Sequence, residues 1–192
     1  TDAKESKGTG AGMYFTFSNE QQEAVTAKIG LSYTSVENAR INLQAEAEGK
    51  TFEDAKEQAH QIWQEYLGRI EVETSKREDK VKFYTGLYHA LLGRGLANDV
   101  NGAYPRNDGS VGQLPMKEGK PQYNVYNTDA AWGAQWNLSQ LWTLAYPEYM
   151  SEYVSSHIQA YKDAGWLADG LANNRYVSGV GTNLLSTIIA GA

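Results

Sequence analysis

The 192-residue chain contains no cysteine, only four prolines and three histidines, and no apolar run approaching the ~20 residues that cross a bilayer. Without cysteine there are no disulfides, no thiolate catalysis and no cysteine-held metal, although the compartment stays open because exported bacterial proteins also lack it. Basic charge is short as well. Lys and Arg total 17 against 23 Asp and Glu, for a net charge of -6. A nucleic-acid binder needs a basic stripe to neutralise phosphates. The densest basic stretch, Lys76 to Lys82, is broken by Glu78 and Asp79 and reads as the solvated start of a helix. Neither a nucleic-acid partner nor a membrane span is expected.

What the chain does have is an apolar share of 41%, enough for a core, with 13 tyrosines and five tryptophans. Such an aromatic load serves either as core or as flat, amphipathic contact surface. Thr1 to Gly12 is polar and Gly-rich, with no leader pattern. The start reads as a loop entering a strand, and the end, Leu184 to Ala192, as an apolar helix with little after it to pack on. The expectation is a piece cut from a longer protein.

Met13 to Phe17 and Ala24 to Tyr33 alternate with period two around a polar link, Ser18 to Glu23, which predicts an antiparallel hairpin. Two strands alone are barely stable in water, so this hairpin calls for partner strands from elsewhere. From Ser35 the period turns helical. Thr34 and Glu37 have capping-box spacing before one helix, and Thr51 and Asp54 before a second that carries Ala55, Ala59, Ile62, Trp63, Tyr66 and Leu67 on one side. A third helix is predicted from about Glu78 to Leu96, with an apolar arc wide enough to be buried on more than one side. Asn98 to Val125 is a long connection rich in Gly, Asn, Asp and Pro, of the kind that is functional or disordered. One helix follows from about Asp129 to Ala145. Another opens at Pro147 and is closed by Gly165, and a last one begins near Gly179.

Most motifs fail on inspection. Gly49-Lys50-Thr51 resembles the end of a phosphate-binding loop, but Gln44 stands where the first glycine belongs. Gly179 and Gly181 lack the third glycine and the strand of a dinucleotide site, and no nucleophile elbow occurs. His60, His89 and His157 lie far apart without metal-ligand spacing and read as surface or hydrogen-bonded helix residues. Asp99-Val100-Asn101-Gly102 begins like a calcium loop but lacks the later ligands, so a turn held by Asx side chains is the better reading.

The helix after Asp129 carries the best local signal. At about 100° per residue, Asp129, Trp132, Trp136 and Gln140 fall on one narrow face, opposite Ala131, Ala134, Leu138, Leu141 and Trp142. A carboxylate, an amide and two indoles suit a sugar, whose apolar ring faces stack on aromatics while its hydroxyls bond charged or amide groups. The same residues equally describe a buried Trp pair with Asp129 as a helix cap. The pattern leaves both readings open.

In their order, these residues resemble glycoside hydrolase family 92, the bacterial exo-acting α-mannosidases. The resemblance begins with Lys28 to Ala39 and continues through Asn42, Leu43 and Glu46, then Phe52 and the Trp63 to Ile70 helix. Phe83-Tyr84-Thr85, Leu87-Tyr88-His89, Asp99-x-Asn101-Gly102-x-Tyr104 and the helices around Asp129 and Pro147 complete it. It implies an α+β, mainly α architecture in three parts. Residues 1–34 would be the last strands of an N-terminal β-sandwich, 35–76 a helical linker, and 77–192 the first helices of an incomplete (α/α)6 toroid.

The resemblance also implies an inverting, calcium-dependent reaction that releases mannose from glycans outside the cytoplasm. The acid, base and calcium ligands would lie beyond Ala192, so no catalytic or metal-binding residue is assigned here. Asp129 matches the Asp of the family's sugar-contacting Trp-Asp pair, with Thr128 in place of the Trp and Trp132 where an Arg is usual. Asp129, Trp132 and Trp136 are therefore the expected substrate contacts, and the lost Arg fork implies altered specificity. The alternatives are a non-catalytic carbohydrate-binding protein on the same scaffold and a toroid enzyme of another class. An unfinished ring would leave helix faces bare, so self-association and no turnover by this segment alone are expected.

Overall fold

The computed structural model describes residues 7–18, 24–92, 95–127, 131–168, 171–172, 175–176 and 184–192, with backbone alone for Trp132 and for the short strands at 171–176. Helices dominate: α1 (Val36–Ala47), α2 (Phe52–Leu67), α3 (Arg77–Leu91), α4 (Ala131–Ala134), α5 (Leu138–Ala145), α6 (Pro147–Ala164) and α7 (Leu184–Ala190). Between α3 and α4 come β1 (Ala103–Pro105), β2 (Val111–Gln113), β3 (Met116–Lys117) and β4 (Lys120–Pro121), and after α6 come β5 (Leu171–Ala172) and β6 (Arg175–Tyr176). Each sheet is an antiparallel pair, β1-β2, β3-β4 or β5-β6. The chain is thus mixed and mainly helical. No helix among the described residues is long and apolar enough to cross a membrane.

Helix α2 starts on the expected capping box. Thr51 Oγ1 accepts from the Asp54 N–H at 3.1 Å, and Asp54 Oδ2 accepts from the Thr51 N–H at 2.8 Å. The box expected at Thr34 does not form. Ser35 caps α1 instead, accepting from the Asn38 N–H at 3.0 Å, because the Thr34 hydroxyl is turned onto Asp99. At the other end of the chain, Pro147 opens α6 at its first turn, and Gly165 closes it at φ 79°. That left-handed backbone is cheap only for glycine, and it brings the Gly165 N–H onto the Tyr161 carbonyl at 2.7 Å.

The expected 129–145 helix is two helices. Residues 135–137 form a turn, and Asn137, at φ -160°, begins α5 afresh. The Gln140 side chain donates to the Gln135 carbonyl at 3.1 Å, giving a partner to a group near the interruption. Apolar spacing survives the break: Ala131, Ala134 and Trp142 are fully buried. Helix α3 stops at Leu91, short of the expected Leu96, and is buried on one side only. Leu87 is in the core while Val81, Tyr88 and Leu92 are exposed.

The main core gathers Leu87 from α3, Tyr126 from the segment between α3 and α4, and Trp142, Tyr146, Met150, Tyr153, Leu185 and Ile188 from α5, α6 and α7 and the residue joining α5 to α6. Aromatic edges organise it. Trp142 meets Tyr149 and Tyr153 edge-on, with centroids 5.0 and 5.2 Å apart. Helix α2 joins this core only through its last turns. Trp63, Tyr66 and Leu67 are half-buried, whereas Ala55, Ala59 and Ile62 stay exposed. Arg69 ties that end down by pairing with Glu148 and lying over the rings of Tyr66 and Tyr146.

The connection at 98–125 is ordered rather than a bare loop. Its two hairpins enclose a second small core of Ala97, Tyr104, Leu114 and Val125. Gly112 is required there, because a Cβ at that position would run into the Tyr104 ring. Tyr104 then donates to Asp163 Oδ2 at 2.7 Å and accepts from Gln159 at 2.8 Å, which seats the excursion on α6.

The expected hairpin at 13–33 is not present as a ladder: residues 7–18 and 24–34 carry no strand. Its link at 19–23 lies outside the described residues. Met13, Tyr14, Phe15, Ile29 and Leu31 are each more than 70% exposed, so the alternating side chains have no second layer to bury against. A lone pair of strands lacks the apolar burial that would hold it.

Candidate functional site

Of the three residues singled out as sugar contacts, only Trp136 has a described side chain. Asp129 lies outside the described residues, and Trp132 is described in backbone only, within α4. Trp136 falls in the turn between α4 and α5 and is 76% exposed, and Gln140 is exposed one turn into α5. The break means that Trp136 and Gln140 are not held on one continuous face. Of the two readings of this segment, a buried Trp pair is excluded for Trp136. The solvent-facing indole retains a flat apolar surface available for stacking.

Asp99 lies in the segment that resembled a calcium loop, and its side chain is 2% exposed. Its Oδ1 accepts from Asn42 Nδ2 at 2.7 Å, while its Oδ2 accepts from Ser32 Oγ at 3.0 Å and from Thr34 Oγ1. Asn101 Oδ1 accepts from the Ala103 N–H at 3.1 Å, forming the expected Asx turn. Asn101 Nδ2 also donates to Asn38 Oδ1 at 2.9 Å, and Val100 N to Asn42 Oδ1 at 3.0 Å. Both carboxylate oxygens are occupied by neutral donors, so Asp99 is a latch between residues 32–42 and the excursion.

A different group of polar side chains faces open space. A cleft of about 490 Å³ lies between the end of α2, the end of α3, residues 95–96 and 124–126, and the first turns of α6. Trp63, Tyr66 and Tyr149 supply aromatic walls, and Asn124, Tyr126, Glu148 and Glu152 supply polar ones. Trp63 leans on Tyr88 at 4.5 Å, and Tyr66 stacks on Tyr146 at 6.0 Å, so both rings are braced from behind. Glu148 and Glu152 are one helical turn apart on α6. They differ in what they touch.

Glu148 pairs with Arg69, and its own backbone N–H and that guanidinium hold its carboxyl below the usual range. Glu152 has no cationic partner among the described residues. Its Oε2 accepts from the Tyr126 hydroxyl at 2.6 Å and from Asn124 Nδ2 at 3.0 Å. Burial, and then the bond to Glu152, push the Tyr126 phenol far above its ordinary value, so it remains a donor at all physiological pH. Nothing in the sequence marked Glu152. It sits in α6 among Tyr149, Tyr153 and Ser156, and only folding brings Tyr126, distant in the chain, to its side.

Helices α5 and α6 pack through aromatic edges, and the paired strands β1–β4 connect α3 to α4. The model of the glycosyl hydrolase family 92 catalytic domain matches residues 38–192, and the chain belongs to that family. Among solved structures it is similar to the inverting mannosidase BT2199 of Bacteroides thetaiotaomicron, at 26% identity and TM-score 0.72, over 82% of this chain and 21% of that one. The α-mannosidase BT3965 of the same organism, solved also in complex with mannoimidazole, shares its fold at 22% identity and TM-score 0.70, over 78% of this chain and 19% of that one. The chain thus spans about a fifth of the length of the structures it matches. No curated protein sequence matches it.

Proposed function

We propose that the protein containing this chain is a glycosidase that removes mannose from the ends of α-mannoside glycans with inversion at the anomeric carbon, using calcium. The family match over residues 38–192 carries this reading. The name of BT2199 as an inverting mannosidase and the mannoimidazole complex of BT3965 support it. On this reading, residues 1–34 end a β-sandwich, 35–76 form a helical linker, and 77–192 begin an (α/α)6 toroid.

The general acid and base come from outside the segment, so the segment alone does not turn over. The described residues do not fit a calcium site. They contain no cluster of three or more His, Cys, Asp or Glu able to hold a metal, and Asp99 is filled by its neighbours. Calcium, bound by other parts of the protein, would polarise and orient vicinal sugar hydroxyls. Substrate contact falls to Asp129 and Trp132, with Trp136 as an exposed stacking surface. A glycan partner favours a location outside the cytoplasm. Bare helix faces, such as that around Leu144 at 84% exposure, favour self-association of the isolated segment.

A second reading rests on Thr128 and Trp132, which stand where the family resemblance expects Trp and Arg. Loss of a guanidinium fork favours changed sugar specificity, or binding without hydrolysis. Incubating the full-length protein with a panel of α-mannosides, with and without a calcium chelator, separates the two. Chelator-sensitive release of free mannose supports the first. Tight glycan binding without release supports the second.

A further inference from the structure

Glu152 presents an unusual half-used carboxylate. Both of its hydrogen bonds end on Oε2, from Tyr126 and Asn124, while Oε1 takes none among the described residues. The two donors fix the carboxylate plane, and Tyr126 is itself buried and held by a 3.0 Å bond from its backbone N–H to Ser156 Oγ. A carboxylate pinned by one oxygen, with the other free at a cleft, is a pre-oriented acceptor. Its two donors hold it in place without a cation among the described residues, and Arg69 is engaged by Glu148.

The rest of the cleft narrows the choice of ligand. Its volume of about 490 Å³ falls within the range of small-molecule sites. The carboxylate, uncompensated among the described residues, disfavours phosphates, sulfates and carboxylic acids. A purely apolar ligand would desolvate the second carboxylate oxygen of Glu152 without giving it a donor. A neutral ligand with several hydroxyl donors and flat C–H faces satisfies both walls: hydroxyls donate to Glu152, while ring faces lie against Trp63 and Tyr149.

We infer that the cleft bounded by Trp63, Tyr149 and Glu152 is a binding site for one pyranose unit of a saccharide, with the free oxygen of Glu152 accepting from its hydroxyls. The inference rests on the proposed glycosidase only for the choice of a saccharide among polyols; the polar and aromatic arrangement stands apart from any hydrolysis.

The test uses the full-length protein labelled with 5-fluorotryptophan, with the Trp63 signal assigned from the Trp63→Phe variant. Methyl α-mannoside is titrated while the fluorine resonance of Trp63 is followed. A saturable shift is expected, and Glu152→Gln, which keeps the shape of the side chain, is expected to weaken it about tenfold through loss of the charged acceptor. A Trp63 signal unmoved by the sugar overturns the inference, as does an unchanged affinity in Glu152→Gln. Mannose release by the same preparation keeps the two proposals apart. Release with a silent Trp63 overturns the cleft and leaves the glycosidase standing. A shifting Trp63 without release from any α-mannoside supports the cleft and contradicts the glycosidase.

Discussion

Residues 7–34 and residues 97–126 both lack helical periodicity, and both carry aromatic and branched side chains between polar ones. The second region folds into hairpins with Tyr104 and Leu114 almost fully buried, and the first leaves Met13, Phe15, Ile29 and Leu31 in solvent. Composition does not explain the difference. The second region has partners: on α6, Asp163 accepts from the Tyr104 hydroxyl and Gln159 donates to it, while Ser156 Oγ accepts from the Tyr126 N–H and donates to the Asn124 carbonyl. The first region is held toward its end: Ser32 and Thr34 donate to Asp99, the Leu31 carbonyl accepts from Asn42 at 2.8 Å, and Lys28 donates to the Ala47 carbonyl at 2.9 Å. Burial here follows from the presence of a second layer rather than from the strand-like pattern itself.

Four substitutions in the full-length protein sharpen that contrast. Trp142→Ala should cost most, about 3–5 kcal/mol in chemical denaturation, because a fully buried indole and its two edge contacts are lost from the main core. Asp99→Ala should come next, on the order of 3 kcal/mol, because it strands the Asn42 and Thr34 donors at a buried site. Hydrogen exchange should then rise at residues 31–42 more than at 103–113, which would show the latch acting on the first region.

Ile29→Ser is the direct probe of the bare segment, where Ile29 is 79% exposed. The proposed β-sandwich predicts a loss of roughly 2 kcal/mol, since partner strands would cover Ile29 there. A change under about 0.5 kcal/mol would mean that Ile29 stays solvent-exposed.

Glu148→Gln should have the smallest effect, under about 1 kcal/mol, since its pair with Arg69 is half-exposed. Its carboxyl is depressed below the ordinary value of 4.5. The contact therefore contributes above that pH and is lost as pH falls through the lower folded-state value. Acid unfolding curves of the two proteins should converge below that point.

Local chemistry was the legible part of the sequence. The Thr51-Asp54 box and the Pro147-to-Gly165 helix form as read, because each depends on backbone groups within a few residues. The family was legible too, from an ordered series of residues spread along most of the chain. Three features escaped. The break at 135–137 keeps Ala131, Ala134 and Trp142 on the buried side, so the apolar period runs through it without a mark. Thr34 has the spacing of a cap, but its true partner, Asp99, is distant in the chain. In the sequence Glu152 is one more carboxylate on a helix, with nothing to set it apart. Its role in the cleft comes from Tyr126 and Asn124, and only tertiary packing brings those to it. The expected sugar face at Asp129 was drawn on an unbroken helix, which is the assumption the turn removes.

The proposal that this chain is part of an inverting α-mannosidase can be checked by the stereochemistry of the product. The most direct test is to follow the anomeric proton of mannose by NMR in the first minutes after adding calcium-loaded, full-length protein to a methyl or aryl α-mannoside. The account predicts that β-mannose appears first and then equilibrates with the α anomer. Initial release of α-mannose, or no release from folded protein across a panel of α-linkages, would contradict it.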